Sequence, residues 1–130
     1  MISTAADLQV WARALATGTL LSPSMQRQRL QLVRVPPPPL PPLPGTGVSA
    51  GLPARYGLGI YSIGGLLGHK GEVTGCNADM FYLPAKKATI IVLVNAINAS
   101  FVASYGEDIG DAAAISIAQI VLPHALTTQG

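Results

Sequence analysis

The run Pro36-Pro37-Pro38-Pro39-Leu40-Pro41-Pro42-Leu43-Pro44 constrains this chain more than any other segment. Seven of its nine residues are proline, and none of those seven has the amide hydrogen that a helix interior or central strand requires. The backbone there is expected as polyproline II. Gly45, Gly47 and Gly51 follow, so residues 35–55 read as a linker or long surface loop. Regular structure must come from the two flanks, 1–34 and 56–130.

The first flank reads as a helical pair. Thr4 can cap a helix over Ser3 to Thr17, with Asp7 three residues on to complete a capping box. Leu8, Trp11, Ala12 and Leu15 fall on one apolar stripe, and Gly18 is placed to stop it. Ser22-Pro23 starts a second helix with proline at its first position. This helix is expected to run to about Val33, carrying Met25, Leu30 and Val33.

The second flank changes to strands. Tyr56 to Ile63 is β-rich, Ser62-Ile63-Gly64-Gly65 offers a turn, and Leu66 to Glu72 supplies a hairpin partner. Asp79 to Leu83 forms another strand, closed by Pro84, and Lys86-Lys87 make a charged turn. Ala88 to Val94 is apolar on both faces and β-branched, so it reads as a central strand covered on both sides. Glu107 and Asp108 suit a helix N-terminus, and Ile109, Ala113, Ile117, Ile120 and Val121 continue that helix to about Leu122, before Pro123. The fold class is α+β: an antiparallel sheet of three to four strands, N-terminal helices and a C-terminal helix.

Composition narrows the function classes. The 130 residues amount to one domain. Only 11% are charged, against about a quarter in an ordinary globular domain; this excludes a charged disordered chain and hints at a piece of something larger. A net charge of +2 gives no electrostatic case for nucleic acid. One cysteine, Cys76, allows no internal disulfide, and His69 and His124 alone cannot make a structural zinc site. No metal or organic cofactor is implied. Met1 to Asp7 lacks the basic and apolar regions of a signal peptide, and no run of 18 apolar residues suggests a membrane span.

The segment with chemistry in it is Gly68-His69-Lys70-Gly71-Glu72-Val73-Thr74-Gly75. A basic side chain, a polar one and a glycine on a strand edge can serve acyl transfer. The glycine lets substrate approach the backbone, the next amide can face a developing oxyanion, and the base can assist proton transfer or hold a carboxylate. Elsewhere the residues read plainly. Trp11 is expected in the core, Cys76 as a buried thiol, His124 as solvated and the proline run as an inserted loop.

The sequence resembles the C-terminal part of the penicillin-recognising serine hydrolases: class C β-lactamases, D-alanyl-D-alanine carboxypeptidases and related esterases. Ile2-Ser3-Thr4-Ala5-Ala6-Asp7-Leu8 with Trp11, Leu15 and Gly18 to Pro23 is similar to that family's helix pair. Tyr56-Gly57-Leu58-Gly59-Ile60 is similar to the strand before its active-site strand. Gly68-His69-Lys70-Gly71 with Gly75, Tyr82-Leu83-Pro84 and Ile90 to Asn95 resembles its third motif and following strands. The resemblance implies that residues 1–34, 35–55 and 56–130 are helical pair, loop and sheet of one incomplete hydrolase domain.

It also implies roles. His69 takes the place of the motif's basic residue, Gly71 that of its glycine, and the Glu72 backbone N–H completes the oxyanion hole. Lys70 stands where a hydroxyl is expected, and its ammonium could pair with a substrate carboxylate. The family's Ser-x-x-Lys and Tyr-x-Asn motifs do not occur in these 130 residues. The expectation is a C-terminal fragment, inactive alone, of an exported or periplasmic enzyme acting on a β-lactam, a peptidyl-D-alanine or an ester. Two rivals remain open: a non-catalytic product that self-associates or pairs with the missing half, and a module that uses 36–44 to recruit a polyproline-binding partner.

Overall fold

In a computed structural model, which describes residues 2–36, 52–96, 100 and 109–126, α1 (Ala5–Thr17) begins and ends as its caps dictate. The Thr4 hydroxyl accepts from the Asp7 amide at 3.2 Å, and the Asp7 carboxylate accepts from the Thr4 amide at 2.8 Å and the Thr4 hydroxyl at 2.7 Å. Gly18 terminates the helix in the left-handed region, φ 74°, its amide donating to the Ala14 carbonyl. A second helix, α2 (Pro23–Arg29), is capped by Ser22, whose hydroxyl accepts from the Met25 amide. Gln26 binds the two together. Its side-chain amide donates to the Leu15 and Ala16 carbonyls at 3.3 and 3.1 Å, acceptors that a helix end leaves open.

Helix α2 is shorter than its sequence suggests, ending at Arg29 instead of near Val33. The Arg29 carbonyl receives the Leu58 amide at 3.2 Å, and Val33–Arg34 become a short strand, β1. Long-range pairing overrides local helix propensity here, because β1 runs beside β2 (Ala54–Tyr56), some twenty residues on.

Beyond β2 come β3 (Tyr61–Ile63), β4 (Leu66–Val73), β5 (Cys76–Leu83) and β6 (Ala88–Val94). They form a six-stranded sheet in the order β1-β2-β3-β4-β5-β6, every neighbouring pair antiparallel. The sheet has more strands than the three or four expected. Beyond four, one extra strand is β1, and the other arises because Tyr56 to Ile63 is not one strand: Gly57 to Ile60 turns back on itself, with the Gly57 amide donating to the Ile60 carbonyl at 2.8 Å. Gly64 and Gly65 make the β3–β4 turn at φ 57° and 91°, the conformations a tight hairpin needs. A short 3₁₀ turn, Pro84–Lys86, joins β5 to β6.

Helix α3 (Ile109–Val121) lies on one face of the sheet. Its Ala112, Ala114, Ile115 and Ala118 form one core with Ile63, Leu66, Phe81, Leu83 and Ile90. Tyr82 alternates to the other face and is also buried, and α1 packs there against β4, β5 and β6, burying Ala12, Leu15 and Ala16. The strand Ala88–Val94 is covered by helices from both sides, but it is not central. Among the described residues it is an edge strand, with Ile90 buried and Leu93 largely exposed. An apolar run reports cover above and below a strand, not neighbours beside it.

Two side-chain expectations are corrected. Trp11 is 46% exposed, because Ala12, Leu15 and Ala16 turn inward and Trp11 stands at the margin of that stripe. Cys76 is exposed, since it follows the Thr74-Gly75 turn at the open tip of the β4–β5 hairpin. The proline run from Pro37 onward and the helix start at Glu107 and Asp108 lie outside the described residues. No helix among the described residues is long and apolar enough to cross a membrane.

Candidate active site

The candidate motif sits on β4, and its register decides what each residue can do. Pairing of β4 with β3 ends at Tyr61↔Gly68, whereas pairing with β5 continues from Leu67↔Tyr82 to Val73↔Cys76. From His69 onward, β4 has β5 on one side and no strand on the other among the described residues. His69, Lys70, Gly71 and Glu72 thus lie on one open strand edge, held from behind by β5.

The glycines of this strand differ in what holds them. A Cβ at Gly68 would stand 1.9 Å from the Met80 carbonyl oxygen, so local packing demands glycine. A Cβ at Gly71 would meet only the Ala78 carbonyl oxygen at 3.8 Å, an ordinary contact. Nothing in the described fold requires glycine at 71, while close approach by a substrate would.

His69 is held at both ring nitrogens. Nδ1 lies 2.5 Å from the Lys70 carbonyl oxygen, and Nε2 lies 2.7 Å from the Tyr56 hydroxyl. The Tyr56 ring meets the imidazole edge to face, with centroids 5.7 Å apart. Sequence reasoning had Tyr56 only as a strand marker. Its approach to His69 follows from the fold-back at Gly57 to Ile60, which no local pattern announces.

Lys70 is turned to the α3 side. Its ammonium pairs with the Asp111 carboxylate in the first turn of α3 and stands 5.8 Å from the centre of the Tyr61 ring, within reach of a cation–π contact. Asp79, directly opposite Lys70 in the β4–β5 register, is fully buried. Asp111 and Asp79 were not anticipated as partners of the motif. Their signal in the sequence was an isolated acid on an otherwise apolar strand and on an alanine-rich helix. Glu72 is exposed near the β4–β5 turn. Among the described residues, no three His, Cys, Asp or Glu gather into a group that could hold a metal ion.

Comparison with known families bears directly on this arrangement. The family model described as Beta-lactamase matches residues 1–113. This chain belongs to the β-lactamase family. No curated protein matches its sequence significantly. The β-lactamase match takes in α1, α2, all six strands and the start of α3 with Asp111, so the open edge and the ion pair behind it both fall inside the family region. Family membership supports a function of the serine-hydrolase kind, and the α+β fold with its antiparallel sheet agrees with it.

Proposed function

We propose that this chain supplies one wall of an acyl-transfer site in a β-lactamase-like serine hydrolase. The substrates are a β-lactam, a peptidyl-D-alanine or a small ester, attacked through an acyl-enzyme. His69 moves the proton or holds a carboxylate, Gly71 admits the substrate to the strand, and the Glu72 amide faces the oxyanion. The observation that carries this reading is the open β4 edge, where Gly71 is glycine without a packing reason. Lys70 enters as the residue that ties this strand to α3 through Asp111.

Neither a serine with lysine three residues on nor a tyrosine with asparagine two on occurs here. The 130-residue chain alone therefore binds but does not turn over. The test is an amide-resolved NMR titration with a cephalosporin and with D-alanyl-D-alanine. Shifts centred on residues 69–72, with no hydrolysis of a chromogenic cephalosporin or ester, are expected. A titration that leaves those amides unmoved removes the reading.

A second reading has its own observation. Val10 and Trp11 on α1, and Ile117, Ile120 and Val121 on α3, are exposed apolar side chains on the two outer helices. We infer that these faces are covered by self-association or by a further segment of the same domain.

A further inference from the structure

We propose that Tyr56 is a further member of this site, joined to His69 as a proton relay whose outward atom is the Tyr56 hydroxyl oxygen. The inference rests on the hydrolase reading of His69 and goes beyond it in naming the atom that meets the reacting group. A backbone carbonyl can only accept a hydrogen bond. The Lys70 carbonyl, 2.5 Å from Nδ1, therefore places the imidazole proton on Nδ1 and leaves Nε2 as an acceptor. Among the described residues, one donor lies on it: the Tyr56 hydroxyl at 2.7 Å.

The basic nitrogen of His69 is thus already occupied, and an incoming hydroxyl meets Tyr56 first. Tyr56 is 39% exposed, so its oxygen remains reachable. In the forward step the attacking O–H gives its proton to the Tyr56 oxygen as the Tyr56 proton passes to Nε2. Tyrosine ends neutral, the imidazole carries the proton, and the relieved oxygen forms the bond to the acyl carbon. The reverse transfer returns the proton to a leaving oxygen or nitrogen. The T-shaped ring contact and the neighbouring Tyr61, with ring centres 6.4 Å apart, hold the phenol in line.

Two measurements test this on the chain in the absence of ligand. Long-range ¹H–¹⁵N spectra of the neutral histidines should show His69 with its proton on Nδ1 and a hydrogen-bonded Nε2, with the exposed His124 as internal reference. In Tyr56→Phe the Nε2 resonance should move to its unbonded position while Nδ1 keeps its proton. Acetylation of Tyr56 by N-acetylimidazole, mapped by mass spectrometry, should slow by about 100-fold in His69→Gln, the low end of general-base assistance.

A proton on Nε2 in the native chain, an Nε2 resonance indifferent to Tyr56→Phe, or equal acetylation rates would each overturn the relay. Ligand shifts at residues 69–72 combined with an indifferent Nε2 would overturn the relay and leave the hydrolase reading standing. A bonded Nε2 with a silent ligand titration would overturn the hydrolase reading, and with it any catalytic use of the pair.

Discussion

Lys70 and Asp111 show how one residue's environment can reverse the meaning of its identity. As a motif residue, Lys70 stands where a small hydroxyl would suit a substrate carboxylate; in the fold its ammonium meets a buried carboxylate on α3. Replacing it with methionine leaves Asp111 buried without its cation. A fully buried pair loses about 3–5 kcal/mol when one partner goes, but the Lys70 side chain is 41% exposed. Urea unfolding of Lys70→Met should therefore show a loss of roughly 2 kcal/mol. Asp111→Asn should cost less, about 1 kcal/mol, because the orphaned ammonium can turn to water. Equal losses would argue against this asymmetry.

Asp7 carries a pH prediction at the same scale. Its carboxyl is held below the ordinary value of 3.8, first by the hydrogen bond from the Thr4 side chain and then by that from the Thr4 backbone. A carboxyl lowered in the folded state stabilises fully above its ordinary value and loses that contribution as pH falls through the folded one. Helicity over α1, followed by amide shifts of residues 5–17, should decline below pH 3.8, and Asp7→Asn should flatten the dependence.

At the level of elements, β4 is two strands in one. Its first half is built into the sheet between β3 and β5, and its second half has one neighbour among the described residues. Gly68→Ala should destabilise by more than about 2 kcal/mol, since its methyl would collide with backbone and not with a side chain that can move. Gly71→Ala should stay within about 0.5 kcal/mol of the native chain yet weaken the ligand shifts at residues 69–72. Unfolding curves and the NMR titration, measured on both variants, separate packing glycine from binding glycine. The β3–β4 turn was legible beforehand, because Gly64-Gly65 is local chemistry that a short window displays; the Thr74-Gly75 turn was not read from the sequence. The short strands β1 and β2 were not, since each depends on a partner beyond its own window.

For the molecule as a whole, the two outer helices set the prediction. With apolar side chains exposed on α1 and α3, light scattering after size exclusion should report species heavier than the 13.4 kDa chain. Val10→Lys with Ile120→Lys should return it to that mass. A native chain already monodisperse at 13.4 kDa would remove the self-association reading.

The sequence by itself determined the elements whose causes are local. The capping box at Thr4 and Asp7, the stop at Gly18 and the paired-glycine turn at Gly64-Gly65 act within a few residues. It also determined the class of the chain, because the order of helix pair, Tyr-Gly-Leu-Gly segment and His-Lys-Gly motif is carried in the sequence and matched by the family region 1–113. Tertiary structure alone decided the rest. Among the described residues it set β6 at an edge, turned Lys70 to Asp111 and brought Tyr56 onto His69. Those outcomes depend on which distant strand lies alongside and how the chain folds back between Gly57 and Ile60. Sequence periodicity records which face of a strand is buried, but not which residue of another strand its side chains will meet.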